Sequence, residues 1–200
     1  MRVLRSPMAD LMGGSSKLLL TPVSLRLFFL SGRWIKKHSN EVTKLASIPA
    51  FEIGNHSFSH PHLTALSDDS IKQELEQTES LLRRSMGTSA KLFRPPYGET
   101  NLRIDSIAQS IGLSSVEYDL ASGDPDSTIS RDHLIRYVVS HVRNGSIIVM
   151  HVNGRGWHTS EALPEIIQAL RAKGYIFSKV SDLLRGLHGA SNSSADRKNH

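Results

Sequence analysis

Residues 51–61 read FEIGNHSFSHP and join a short apolar segment to two histidines. The first five residues have the length and composition of a buried strand, closed by a glycine and an asparagine. His56 and His60 follow at once, and two histidines four residues apart on a helical turn can hold one metal ion. In a chain with 10 histidines such a pair also arises by chance, with one ring a structural donor and the other exposed. Its position directly after a strand favours a ligand pair.

Strand-like and helix-like segments alternate on both sides of this stretch. That alternation is typical of a parallel sheet flanked by helices, which places the chain in the α/β class. We expect one domain over residues 21–187, after a divergent or truncated segment at 1–20 and before a disordered tail at 188–200. The predicted strands are 25–30, 51–55, 91–93, 114–118, 147–150 and 175–177, and the predicted helices are 34–46, 67–86, 101–111, 131–142, 160–173 and 181–187.

Polar residues follow several of the predicted strands. In a parallel sheet the carboxyl ends of the strands share one edge, where the active sites of α/β proteins form. Arg94 and Tyr97 lie in a loop stiffened by two prolines, Asp119 and Asp124 follow the next strand, and His151 ends an apolar run. Each has an ordinary alternative as a turn residue or as a histidine at the edge of the core. Their coincidence with the histidine pair indicates a functional site.

The composition excludes several classes of protein. The 200 residues are 38% hydrophobic and 22% charged, and no uninterrupted apolar run reaches the roughly 18 residues of a membrane-spanning helix. Cysteine is absent, so any metal must be held by histidine and carboxylate side chains. The net charge of +5 comes from scattered basic residues, which argues against a nucleic-acid partner. We find no convincing signal peptide, so the sequence itself leaves the localisation unknown.

Three strings in the sequence resemble motifs of the polysaccharide deacetylases, the NodB-homology domains of carbohydrate esterase family four. They are FEIGNHSFSHP at 51–61, FRPPYG at 93–98 and GSIIVMH at 145–151, in the order of the family. The resemblance implies a distorted, incomplete (β/α)7 barrel that hydrolyses N- or O-acetyl groups of carbohydrates. It also implies a divalent metal, usually zinc, an acetylated poly- or oligosaccharide as the partner, and a cell-envelope or extracellular location.

The same resemblance implies catalytic roles at individual positions. His56 and His60 would be the metal ligands, and His151 would be the general acid that protonates the leaving amine or alkoxide. Arg94 would orient a catalytic carboxylate, and Asp124 would steady either His151 or Arg94.

Three further residues are expected to contact the substrate. By resemblance, the backbone N–H of Tyr97 would help to hold the oxyanion, and Val149 would line the acetyl pocket. Trp157 follows His151 in the chain and would stack on a sugar ring, although packing of its own loop is an equal alternative. Trp34 is predicted to lie in the core.

The chain departs from the family pattern before its first predicted strand. The family opens with a strand that ends in two aspartates, the base and a metal ligand, whereas Asp10 is the only acidic residue before residue 25. Pro125 also replaces a tryptophan that often follows the position of Asp124. We therefore expect a barrel that lacks its first strand, through truncation or divergence, or a chain that no longer catalyses.

The departure from the pattern also affects the expected activity. Catalytic zinc normally has three protein ligands, so two imidazoles alone predict weak metal binding and low or absent deacetylation. The alternative function is that of a non-catalytic carbohydrate-binding derivative of the same fold. The oligomeric state stays open.

Overall fold

The computed structural model describes residues 26–151 and 154–184. The predicted N-terminal segment, which contains Asp10, and the predicted tail lie outside the described residues, as does the place of the expected missing strand. The two ends of the predicted domain, at 21–25 and 185–187, also lie outside them. In the part of the chain that is described, no helix has the length and apolar composition needed to cross a membrane.

The described strands form two parallel sheets. In chain order they are β1 (Arg26–Leu30), β2 (Phe51–Asn55), β3 (Leu92–Phe93), β4 (Ser114–Ser115), β5 (Leu120–Ala121) and β6 (Ile148–Val149). The first four lie side by side in sequential order, and β5 pairs with β6. All of β1 is buried, as expected for a parallel strand covered on both faces. The predicted α/β class with a parallel sheet is confirmed.

Helices connect the strands and cover the sheets. They are α1 (Gly32–Lys37), α2 (Ser39–Ala46), α3 (Asp68–Met86), α4 (Leu102–Ser110), α5 (Arg131–His141) and α6 (Thr159–Ala172), with short 3₁₀ turns at Leu63–Ala65 and Pro96–Gly98. The side chain of Ser67 caps α3 by accepting a hydrogen bond from the Ser70 N–H. Gly87 ends the helix with a left-handed φ of 73°, a conformation that glycine adopts without a steric penalty. These boundaries agree with the prediction.

The apolar side chains form two main clusters, one for each sheet. Phe28, Leu75 and Phe93 belong to the cluster between the four-stranded sheet and the helices that include α3. Ile148 and Ile166 belong to the cluster that joins β5 and β6 to α5 and α6. Each fully buried side chain of this size contributes about 1.5–3 kcal/mol, so the clusters fix the ends of the strands that carry the site.

The helix predicted over 34–46 is two helices in the structure. His38 separates them, because its φ of −136° and ψ of 40° are not helical. Its ring stacks on Trp34, with the ring centroids 4.3 Å apart. The apolar spacing that predicted one helix is kept across the break, so the pattern could not reveal it.

The strand predicted over 114–118 ends at Ser115. Beyond it, the carbonyl oxygens of Val116 and Glu117 accept hydrogen bonds from the side chain of Arg94. The N–H of Val116 still donates to the carbonyl of Phe93 at 2.7 Å, but the carbonyls of Val116 and Glu117 turn to the guanidinium group, and the chain crosses to the second sheet.

The strand predicted over 175–177 is not found, although these residues are described. The N–H of Tyr175 instead donates to the carbonyl of Leu170 and completes the end of α6. The Tyr175 hydroxyl donates to the carbonyl of Val142 at 3.0 Å. The aromatic segment 175–177 therefore closes the C-terminal end of α6 instead of forming a strand.

Candidate active site

A cavity of about 220 Å³ lies at the edge where the strands end. Its lining combines residues that follow β1, β2, β3 and β6, as expected for the carboxyl edge of a parallel sheet. Most of the predicted site residues contribute to it, namely His56, His60, Arg94, Tyr97, Val149 and His151. Segments that are far apart in sequence therefore meet in one place.

His56 and His60 lie side by side on the loop after β2. Their ring centroids are 4.8 Å apart, and the ring planes are inclined by 77°. The Nδ1 atom of His56 lies 2.7 Å from the carbonyl oxygen of Arg94. Because a carbonyl only accepts, Nδ1 carries the proton, and Nε2 holds the lone pair of the neutral ring. Histidines that bind metals are oriented by hydrogen bonds of this kind.

The loop that carries the two rings is not helical, in contrast to the spacing argument. Ser57 and His60 have left-handed φ angles of 60° and 64°. The N–H of His60 donates to the Ser57 hydroxyl at 3.1 Å, and the N–H of Ser57 donates to the side chain of Asn55 at 2.9 Å. A tight non-helical turn brings the two rings together. The four-residue spacing therefore predicted the right pair of histidines, although the helical turn on which that prediction was based is absent here.

Asn55 ties the start of this loop to α3. Its side-chain amide donates to the carbonyl of Leu75 and to the carboxylate of Glu79, each at 3.0 Å. Burial raises the pKa of Glu79 above its ordinary value, although hydrogen bonds from Asn55 and from the Ala90 N–H oppose the change. This buried network fixes the end of β2 against the helix.

Arg94 is almost completely buried after β3. Its Nε donates to the carbonyl of Val116 at 3.0 Å, and its Nη2 donates to the carbonyl of Glu117 at 3.2 Å. The guanidinium carbon lies 4.4 Å from the centroid of the Phe29 ring, within the range of a cation–π interaction. These contacts hold a positive charge rigidly at the cavity. The orientation of a catalytic carboxylate by Arg94 stays a prediction.

Tyr97 occupies a strained position at the cavity rim. Its φ of 60° and ψ of 0° are left-handed, which costs on the order of 1–3 kcal/mol for a residue other than glycine. The side chain is 53% exposed. Its ring lies edge-on to His60 and parallel to His62, at centroid distances of 4.7 and 4.0 Å. Backbone strain of this kind is typical of positions that bind a ligand.

His151 is held in one orientation by the buried carboxylate of Asp124. Oδ1 of Asp124 lies 2.9 Å from Nδ1 of His151. The same carboxylate accepts hydrogen bonds from the His151 N–H and from the hydroxyls of Ser122 and Thr159. With four donors bound, the acceptor positions of the carboxylate are used, and Nε2 of His151 is the nitrogen suited to proton transfer. Of the two partners expected for Asp124, the structure shows His151.

Comparison with known proteins gives the family. The family model for polysaccharide deacetylase matches residues 26–116. A bifunctional xylanase/xylan deacetylase of Cellvibrio japonicus is 33% identical over 155 residues, which are 78% of this chain and 22% of that protein. The chain belongs to the polysaccharide deacetylase family. The family resemblance seen in the three motifs is confirmed, and relatives in this family include carbohydrate deacetylases.

Solved structures of the polysaccharide deacetylase family share the fold. A peptidoglycan N-acetylglucosamine deacetylase superposes with a TM-score of 0.81 and 29% identity, covering 90% of this chain and 86% of that chain. A family four pseudoenzyme of Bacillus anthracis superposes with a TM-score of 0.79 and 26% identity, covering 92% and 65%. A mutant of that pseudoenzyme has restored enzymatic activity. The chain spans only 22% to 59% of the length of the first curated relatives.

The residues of this chain fit two ligand positions of the divalent metal that polysaccharide deacetylases typically use. Paired imidazoles are a donor type that zinc prefers, and the bond from Nδ1 of His56 to a carbonyl fixes the ring as metal sites require. Within residues 26–151 and 154–184, no three histidine, aspartate or glutamate side chains are grouped closely enough to share a metal ion.

Several residues that line the cavity were missed by the sequence reasoning. Trp34, which is expected in the core, is partly buried against it and also lines the cavity. Ser31, Tyr118 and Arg155 line it as well. Ser31 directly follows β1, so the strand-end rule could have found it. Tyr118 and Arg155 lie in irregular segments whose positions no local pattern predicts.

Three residues singled out in the sequence are not among those that line the cavity, namely Asp124, which contacts the lining residue His151, together with Trp157 and Asp119. The side chain of Trp157 is 60% exposed, and its backbone N–H donates to the carbonyl of Asp124 at 3.2 Å. Sugar binding by Trp157 stays a prediction. Asp119 lies at the start of β5 rather than after a strand, where it accepts hydrogen bonds from the Ser146 hydroxyl and the Ile147 N–H. Asp119 therefore joins two strands, and Asp124 is the aspartate that supports the site.

Proposed function

We propose that this chain hydrolyses the acetyl groups of an N- or O-acetylated carbohydrate in a reaction that depends on a divalent metal ion, zinc. The observation that carries the proposal is the meeting of His56, His60 and His151 in one cavity, with His151 oriented by Asp124. A site that only bound sugar would not require a histidine held by a buried carboxylate.

The described residues have distinct tasks in this hydrolysis. His56 and His60 would hold the metal, which when bound polarises the acetyl carbonyl and acidifies water. Asp124 accepts a hydrogen bond from Nδ1–H of His151 and holds the ring in place. A second proton, on Nε2 of the doubly protonated ring, would pass to the leaving amine or alkoxide and leave His151 neutral. Val149 offers an apolar wall for the acetyl methyl group.

The transition state also needs a donor for the developing negative charge. The backbone N–H of Tyr97 is proposed for this task, in a turn that two prolines make rigid. The buried Arg94 adds a fixed positive charge nearby. Preorganised donors and charges of this kind stabilise an oxyanion without reorganisation.

The relatives support a polymeric or oligomeric substrate without choosing the sugar. Their names include a xylan deacetylase, a peptidoglycan N-acetylglucosamine deacetylase and a chitooligosaccharide deacetylase. We therefore propose an acetylated poly- or oligosaccharide as the substrate class.

A second function, non-catalytic carbohydrate binding, is favoured by one observation. Among the described residues that line the cavity there are three histidines and two arginines, and no carboxylate. A metal held by two imidazoles alone binds weakly, and the Bacillus anthracis relative is a pseudoenzyme.

Replacement of His60 by alanine separates the two functions. For a deacetylase, His60→Ala abolishes zinc uptake and zinc-dependent acetate release from acetylated chitooligosaccharides. For a binding module, the wild type releases no acetate, and His60→Ala keeps nearly the same glycan affinity. His133→Ala is the matched control, because His133 is exposed on α5. Tight zinc binding with rapid turnover would indicate a carboxylate ligand outside the described residues, with Asp10 the first candidate.

A further inference from the structure

We propose that Glu74 of α3 is a positioning residue that holds the loop of His60 in its metal-binding conformation. The inference rests on the proposed function, because it concerns the same histidine pair. It adds a residue that lies outside the three motifs and does not line the cavity.

The loop needs an external support because its backbone is strained. Ser57 and His60 both have positive φ angles, although neither is glycine. A residue other than glycine is strained in this conformation, which persists only where the surrounding structure compensates. Removing the support would therefore let the loop relax and move the ring of His60 away from His56.

Glu74 supplies that support with both of its carboxylate oxygens. Its Oε2 accepts hydrogen bonds from the N–H groups of Phe58 and Ser59, at 2.8 and 2.7 Å. Its Oε1 accepts a hydrogen bond from the Ser59 hydroxyl at 2.8 Å. The three bonds hold Phe58 and Ser59, the two residues that lie between the strained residues Ser57 and His60.

The opposite side of the loop is held by the start of α1. The N–H groups of Gly32 and Arg33 donate to the carbonyls of Ser57 and Phe58, each at 2.9 Å. The carbonyls are thus held by α1 and the amides by Glu74. Loss of either support would free one side of the strained turn.

The test compares three variants of the full chain. Glu74→Ala removes all three hydrogen bonds. Glu74→Gln can keep them, because its oxygen can accept from both amides while its NH₂ group donates to the Ser59 hydroxyl. Glu76→Ala is the control on the same helix, where an exposed Glu76 lies 3.8 Å from Lys72. Zinc chloride is titrated calorimetrically, and hydrogen exchange at the amides of Phe58 and Ser59 is measured without metal.

We expect Glu74→Ala to bind zinc about 10- to 100-fold more weakly, the usual effect of removing a residue that orients a ligand. Its amides at Phe58 and Ser59 should exchange faster, while Glu74→Gln keeps most of the affinity and protection. Glu76→Ala should match the wild type in both measurements. Thermal unfolding of each variant confirms that it is folded before the comparison.

The two proposals fail in different ways. If the wild type binds zinc and Glu74→Ala binds it equally well, or if the two amides exchange at the wild-type rate, the inference about Glu74 is wrong and the proposed function stands. If Glu74→Gln is as weak as Glu74→Ala, positioning through these hydrogen bonds is also wrong. If the wild type does not bind zinc, the proposed function fails, and the inference fails with it.

Discussion

At the scale of single residues, Asp124 is the group on which proton transfer depends most directly. In the wild type, one oxygen of Asp124 accepts from the N–H of His151 and the other accepts from its Nδ1–H. Asp124→Asn replaces one of these oxygens with a donating NH₂ group, so two donors would face each other at one of the two positions. We expect kcat for acetate release to fall by about 10²- to 10⁴-fold, as when a general acid is disabled. Zinc affinity should not change, because Asp124 does not contact the histidine pair. Steady-state kinetics and calorimetry measure both.

Asp126→Asn is the control for this change. Asp126 is exposed and accepts hydrogen bonds from Thr128 in the same loop. The variant should keep the wild-type kcat. An equal loss in both variants would show that the loop tolerates no change of charge, and it would contradict a specific role for Asp124.

Gly156 allows the loop after His151 to approach the aspartate–histidine pair. A Cβ added there would lie 1.8 Å from the carbonyl oxygen of His151, 2.3 Å from Oγ1 of Thr159 and 2.6 Å from Oδ2 of Asp124. We expect Gly156→Ala to lower the free energy of unfolding by about 1–3 kcal/mol and to remove most of the activity. Activity is measured as acetate release and stability by urea unfolding.

Gly87→Ala provides the comparison for Gly156→Ala. Gly87 has a φ of 73°, but nothing lies within 4 Å of an added Cβ. The Gly87→Ala variant should therefore lose about 1–2 kcal/mol of the free energy of unfolding through backbone strain alone, and it should keep the wild-type activity. Full activity in Gly156→Ala would contradict the tight packing around the pair.

At the scale of secondary-structure elements, Asp119 joins the starts of β5 and β6. Partial burial opposes ionisation of this carboxyl, but hydrogen bonds from Ser146, the Ile147 N–H and Arg143 outweigh it and lower the pKa below its ordinary value. A carboxyl with a lowered pKa in the folded state stabilises the fold above its unfolded pKa. That contribution is lost as the pH falls through the folded pKa.

The stability difference between the wild type and Asp119→Asn should therefore depend on pH. We expect Asp119→Asn to unfold at a lower temperature near neutral pH and the difference to vanish in acid, where both side chains are uncharged. Glu117→Gln, which changes an exposed carboxylate next to the same segment, should show no such trend. A difference that is the same at every pH would contradict the role of the charge.

Local signals were sufficient to predict some elements to the residue. The strand β2 is a compact apolar run closed by Gly54 and Asn55, and α3 has a serine cap at one end and Gly87 at the other. The end of β4 could not be predicted, because it depends on the side chain of Arg94, which is distant in sequence and binds the carbonyls beyond the strand. The residue pattern of one segment cannot predict a contact with a side chain that lies far away in the sequence.

At the scale of the whole molecule, the cavity exists because two small sheets place their strand ends together. The positions of His56, Arg94 and His151 could be predicted, because the carboxyl edge of a parallel sheet collects the residues that follow its strands. The family resemblance left two partners open for Asp124, and the structure shows the contact with His151. The presence of Arg155 in the lining could not be predicted, because it depends on the path of an irregular segment.

The central claim is that the two histidines after β2 share one metal ion in the cavity that His151 lines. X-ray diffraction at the zinc absorption edge, from crystals grown with zinc chloride, measures this directly. We expect an anomalous peak at about 2.0–2.1 Å from one ring nitrogen of each of His56 and His60. No peak at this pair, or a peak bound instead by the contacting side chains of His62 and Glu99, would contradict the account.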